Sequence, residues 1–350
     1  MTARPSLASE AFDVADSLEA VDDHLYAKGL TDGLPVVPPT EERVWSMIAA
    51  TGLAPDHLVA EVGPTAGEAT VEKLAINAVM AGCRPEHMPV LIAAVEAMTQ
   101  ERFNLAGVQG TTNPCGVALV LNGPVRKLLD VNCGRNCLGP GRRANAVLGR
   151  AVRLVLLNIG GGRPGEVDKA THGFPGKFTL CFGEDEENSP WAPLHVDRGF
   201  KPEQSAVTVV SVNSTLNILT ASFLHLRDML LAMADALSVR ATNNALLGKG
   251  EPIMLVSPGH AQAASKEGMS KLDVQRFLYD HCGFPETDLP QEMVRRERIG
   301  AVTREGIVRP VRRAEDIFVV VAGGPEPYHA TFMPTFGDSL AVTQEVRLPG

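Results

Sequence analysis

The segment NCGRNCLGPGRRAN, residues 132–145, holds the chain's densest group of residues able to do chemistry. Gly134, Gly139 and Gly141 leave the backbone free to approach a ligand closely. The apolar run that follows reads as a helix, and a helix start offers unpaired N–H groups and the positive end of its dipole. Arg135 and Arg142, with the amides of Asn132, Asn136 and Asn145, then suit a carboxylate or a phosphate. The pattern is neither a P-loop nor G-x-G-x-x-G, so it points to no nucleotide and leaves the cofactor unassigned. The plainer alternative is a tight connection whose arginines face water.

Cys133 and Cys137 lie in the same segment. A thiol beside a helix start and arginines is expected to have a lowered pKa, and the thiolate is the reactive form. Cys133 is therefore a candidate nucleophile, and the two thiols together a candidate redox pair. Their C-x3-C spacing differs from the C-x-x-C of thioredoxin-like and zinc-ribbon motifs. Both read equally well as small, partly buried residues.

A second dense stretch runs over 168–198. His172, in a His-Gly-Phe-Pro-Gly loop, and Lys177 after it are candidate acid–base groups. Glu184 to Glu187 read as a solvated acidic turn, although Glu184 comes directly off a strand. His260 follows Ser257-Pro258-Gly259 at a strand end and is a third acid–base candidate, with His329 just past another strand end. No H-E-x-x-H or comparable spacing joins them, so no metal ligand is assigned. Thr112 and Asn113, in a polar loop ahead of a strand, could add hydroxyl and amide contacts to a ligand.

These groups need elements to hold them. Apolar residues at three- and four-residue spacing predict helices over 10–30, 70–81, 86–98, 144–158, 226–237 and 271–282. Thr40 is expected to cap a helix reaching Ala50, and Ser270 with Asp273 to form a capping box. Short apolar runs predict strands at 118–121, 177–182, 206–212, 253–256 and 317–321, and the tail 331–348 reads as irregular and extended. Four of the strands end in turn residues: VLNGP at 120–124, VSVNS at 210–214, LVSPGH at 255–260 and VVAGGP at 320–325. The expectation is an α/β fold with mixed or mainly parallel sheets, flanking helices, and a site at the carboxyl ends of the strands. Arg135, His172 and His260 are expected to share that cavity. The length suits a helix-rich part over 1–200 and a second α/β part over 201–350, or one continuous domain.

A net charge of −9 argues against nucleic acid or an anionic membrane as partner, since both reward clustered Lys and Arg. Six cysteines in 350 residues are too sparse for a disulfide scaffold. No signal peptide and no membrane span is visible, so a cytoplasmic protein is expected. Alanine- and leucine-rich helices predict a homo-oligomer.

TDGLPVVPPTEERV (31–44), ATVEKLAINAVMAGC (69–83), LGPGRRANAVLGRAVRLVLLNIGG (138–161), DKATHGFPGKF (168–178), SPWAPLHVDRGF (189–200) and FVVVAGGPEPYHATFMPTFG (318–337) together span nearly the whole chain. In these segments the chain resembles a largely uncharacterised bacterial family associated with the UGSC-type selenocysteine/cysteine proteins. Those carry a selenol or thiol followed by Gly-Ser-Cys and are similar to a reductase subunit of the glycine reductase type. Here Cys133-Gly134 and Cys137-Leu138 do not reproduce that motif, so the resemblance transfers no catalytic residue and no substrate. It implies a bacterial metabolic enzyme or an enzyme's partner. Three functions follow as expectations: an enzyme cleaving a bond in a small anionic metabolite, of lyase or hydrolase type; a thiol-dependent redox component that partners a thiol or selenol protein; and a non-catalytic binding subunit.

Overall fold

Local signals set most of the element boundaries. Thr70 accepts a hydrogen bond from the Lys73 amide and starts the helix Val71–Ala81, and Gly82, at φ 88°, ends it in the left-handed conformation. Ser270 and Asp273 form the expected capping box of the helix Lys271–His281. Thr40 stands at the start of the helix Glu41–Ala49, but its side chain makes no capping bond. The first helix begins only at Leu18, where Ser17 accepts from the Ala20 amide; the described stretch before it is irregular. The computed structural model describes residues 6–289, 292 and 302–348.

Two four-stranded mixed sheets form the centre. In the first, the order is Val342–Glu345, Ala206–Val212, Gly116–Asn122, Cys181–Gly183. Only the last pair is parallel. In the second, the order is Phe318–Val321, Ile253–Val256, His329–Met333, Leu216–Leu219, and only the first pair is parallel. The side-chain period of two divides each strand between two cores. Ala118, Val120, Phe182 and Val210 of the first sheet pack against Leu255, Phe318, Val320 and Met333 of the second. Val117, Leu119, Leu121 and Val209 face the helices Val71–Ala81, Met88–Met98 and Arg143–Asn158. Met254, Val256, Val319 and Phe332 face the helices Leu226–Leu237 and Lys271–His281. The result is an α/β fold of four layers: helices, sheet, sheet, helices.

The layers mix both halves of the chain. The strand Ala206–Val212 pairs with Gly116–Asn122 along its whole length, so no seam falls at residue 200. The tail is more regular than expected, because residues 329–333 and 342–345 each supply a strand. Among the described residues no helix is long and apolar enough to cross a membrane.

Candidate functional site

Three of the four strand ends gather on one side of the sandwich. The Asp185 amide, just past the strand Cys181–Gly183, donates to the Val321 carbonyl at 2.7 Å. The Gly323 amide donates to the Cys133 carbonyl at 2.9 Å. The fourth end departs: because Ala206–Val212 runs antiparallel to Gly116–Asn122, Val212 pairs with Gly116 and Asn213 emerges on the opposite side. There Asn213 accepts from the Cys115 thiol at 3.1 Å. Four strand ends therefore do not share one site.

The Gly/Arg segment is held chiefly by its own amides. Asn145 is buried, donates to the Asn132 and Cys137 carbonyls, and accepts from the Asn132 amide at 2.8 Å. The Asn132 side chain donates to the Arg135 carbonyl and accepts from the Gly134 amide. Asn136, at φ 61°, donates to the Pro140 carbonyl. Arg142 pairs with Asp130 at 2.7 Å on the surface. Asn132 and Asn145 thus hold the loop rather than a ligand, which corrects their expected binding roles, while Arg142 lies on the surface outside both clefts described below. The Asn113 side chain accepts from the Asn243 side chain and so ties two loops together, and the Thr112 backbone carbonyl accepts from the Thr171 amide.

The thiols depart from expectation in sign. Burial, reinforced by Asp185, raises the Cys133 pKa against the opposing pull of Arg126. Burial pushes the Cys137 thiol up to about 12. Arg126 is engaged elsewhere, with Glu187 at 3.0 and 3.1 Å, Glu186 at 2.9 Å and the Glu184 carbonyl at 2.7 Å. Its contact with the Cys133 sulfur is a long 3.9 Å. The arginines that the sequence sets beside Cys133 point instead at carboxylates. Glu184 lies in the interior, not in a solvated turn, and burial raises its pKa.

His260 is also corrected. It is buried, its Nδ1 lies 2.8 Å from the Ser257 hydroxyl, and its Nε2 lies 2.9 Å from the Thr220 hydroxyl. Thr220 donates its own proton to the Pro327 carbonyl at 2.8 Å. That leaves Nε2 as the donor to Thr220 and Nδ1 as the acceptor, a neutral imidazole with both nitrogens used. Burial, with His329 adding to it, lowers its pKa to about 4. His260 locks the start of the helix Pro258–Lys266 and has no free nitrogen for catalysis.

Two separate clefts hold expected residues: His172 and Lys177 line one, Arg135 and Asn136 the other. The first has a volume of about 620 Å³ and holds His172 and Lys177. Its walls are Leu157, Phe174, Pro175 and Phe178, and its polar floor is Arg153, Asp168 and Lys177. The Lys177 ammonium lies 2.5 Å from Asp168 Oδ2, and the Arg153 guanidinium lies 3.7 Å from the same oxygen. All three side chains are at most 16% exposed, so water screens them weakly. Asp32, also in the lining, is neutralised by two 2.8 Å bonds from Arg150. Two cations thus face one carboxylate, and desolvation already pushes the Arg153 pKa down. An additional anion would relieve that excess of positive charge. His172 is exposed at the mouth, next to Gly173 at φ 69°.

The second cleft, about 530 Å³, lies beyond the carboxyl ends of the parallel strands Ile253–Val256 and Phe318–Val321. Arg135 and Asn136 reach it, together with Ser257, Glu326, Tyr328 and His329. Arg135, His172 and His260 therefore do not share a cavity. Among the described residues, no group of three or more His, Cys, Asp or Glu is arranged to hold a metal ion.

Asp168 opens the dense stretch 168–198, but the sequence assigns no role to it or to Arg153. Arg153 had one faint signal: with Arg150 it places two charges on a helix whose neighbours Ala151, Val152 and Leu154 to Leu157 are buried. In comparisons with known proteins, no family model and no curated protein matches the chain.

Proposed function

We propose that this protein is an enzyme that takes a small anionic metabolite into the cleft floored by Arg153, Asp168 and Lys177. The observation that carries the reading is the charge imbalance: two cations around one carboxylate, held together in an apolar-walled cleft of about 620 Å³. Pockets of this kind, largely apolar with a few convergent polar groups, are the usual places for small ligands. A carboxylate or phosphate sits between Lys177 and Arg153, and the apolar remainder of the molecule lies against Phe174 and Phe178. His172 at the mouth exchanges a proton with the bound substrate, and bond cleavage of lyase or hydrolase type follows.

The redox alternative draws less support. It requires an ionisable thiol pair, whereas both thiols have raised pKa values and Cys137 is buried.

A thermal-shift screen of small carboxylates and phosphates tests the reading. A ligand at about 100-fold excess over its Kd stabilises the fold by about 2.7 kcal/mol, a readily measured shift. The hits should disappear in Lys177→Met and survive in His172→Ala, while His172→Ala lowers turnover by about 100-fold or more. Hits that bind Lys177→Met as tightly as the wild type would sink the assignment.

A further inference from the structure

The second cleft is built differently from the first. Val320, Leu255, Thr331 and Asn217 form one row across all four strands of the second sheet, each paired in register with the next. The row lies on the face turned toward the first sheet. Its chemistry changes along its length: Val320 and Leu255 are buried between the sheets, whereas Thr331 is half-buried and Asn217 exposed. His329 lies two residues from Thr331 on the same strand and the same face. Among the described residues, the side chains of Asn217, Tyr328, His329 and Thr331 make no hydrogen bond. All four line the cleft, so four polar groups there have capacity to bind something.

Arg135 and Glu326 close the cleft from two sides as an ion pair. Gly324 makes room for it. A Cβ on Gly324 would lie 3.1 Å from the Arg135 guanidinium and 3.3 Å from the Glu326 carboxylate. The Arg135 side chain is 67% exposed and that of Glu326 is 35% exposed. An ion pair so open to water is weak, and opening it costs little. A ligand carrying only an anion would leave Glu326 facing it, and one carrying only a cation would leave Arg135 facing it. A ligand carrying both charges satisfies both partners and leaves the net charge of the site unchanged.

We infer that this cleft is a second ligand site, distinct from the anion cleft, that takes a zwitterionic α-amino acid. The carboxylate goes to Arg135 and the ammonium to Glu326. Thr331, Asn217 and His329 supply hydrogen bonds along the polar end of the row. The half-exposed ring of Tyr328, at 54%, covers the amino acid's side chain.

Isothermal titration of the full chain with each of the common amino acids tests this. At least one should bind at millimolar concentration, and its N-acetyl and carboxamide derivatives should bind about tenfold more weakly or not at all, a loss of about 1.4 kcal/mol per tenfold. Arg135→Ala and Glu326→Ala should each weaken binding by a similar factor. Both positions are on the surface, so the folds of these variants should survive, and circular dichroism verifies it. Lys177→Met, which empties the other cleft of its key cation, should leave amino-acid binding unchanged. Failure of that cleft's reading thus leaves this one standing. The inference is overturned if no amino acid binds, if blocked derivatives bind equally well, or if neither variant weakens binding.

Discussion

Asn145 and Asn132 grip one another from both sides. The Asn145 amide nitrogen donates to the Asn132 carbonyl at 3.0 Å, and its amide oxygen accepts from the Asn132 backbone N–H at 2.8 Å. Asn145 lies in the first turn of the helix Arg143–Asn158, so this exchange fixes the segment carrying Cys133 and Arg135 to a rigid element. A third bond, to the Cys137 carbonyl, closes the loop's far side.

Asn145→Leu should therefore be costly. It strips partners from one backbone N–H and two carbonyls in a buried setting, and each unsatisfied group costs about 1–3 kcal/mol. A loss of about 3 kcal/mol in urea unfolding is expected, without change in slope. A loss below about 1 kcal/mol would show that the loop holds itself without this clamp.

Asp168→Asn should separate stability from binding. The substitution leaves Lys177 and Arg153 without their shared carboxylate, and breaking a buried pair from one side costs about 3–5 kcal/mol. Arg153 retains the Gly162 carbonyl at 2.8 Å, so the loss should fall toward the lower end. Because the two cations then face nothing negative, anions found by the thermal-shift screen should bind more tightly to this variant. Weaker binding would mean that Asp168 itself contacts the ligand.

Stability should fall as the medium turns mildly acidic. His260 titrates at about 4 in the fold, against about 6.5 in an unfolded chain. Between these values the unfolded state binds more protons, so stability drops as pH falls through this window, by about 3 kcal/mol for this group alone. His87 and His195, whose pKa values burial also lowers, act in the same direction. Glu184, raised by burial, acts in the opposite one. Urea unfolding at pH 7 and pH 5 measures the net slope, and NMR titration of the His260 ring isolates its share. An imidazole titrating near 6.5 would refute the neutral, doubly bonded ring.

The thiols should be slow. Cys83, Cys115 and Cys137 are pushed up to about 12, and Cys282 to about 11, so thiolate is scarce at neutral pH. Cys133 is the most accessible of the six, and it too is raised. A disulfide reagent added to native protein at pH 7 should label Cys133 slowly and the other five only after unfolding. Cys133→Ser should leave anion binding intact. Rapid labelling of both Cys133 and Cys137 would restore the redox reading.

The sequence alone settles what local rules govern. Hydrophobic spacing locates the helices over 71–81, 88–98, 143–158 and 271–281; Thr70 and Gly82 mark the limits of the first, and Ser270 the start of the last. Apolar runs locate the buried strands, because burial on both faces demands them. Two elements escape for the same reason: Leu216–Leu219 and His329–Met333 put polar residues on the face that opens into the second cleft. Only the tertiary structure decides strand direction, and direction decides which ends meet. Antiparallel pairing of Gly116–Asn122 with Ala206–Val212 sends Asn213 away from Gly323. It likewise decides which partner each charge finds. From sequence, Arg142 is near Cys133 and Lys177 is near His172; in space, Arg142 takes Asp130 and Lys177 takes Asp168. Periodicity reports whether a side chain is buried, but Coulomb attraction acts over a few ångströms between segments whose separation along the chain carries no record of that distance.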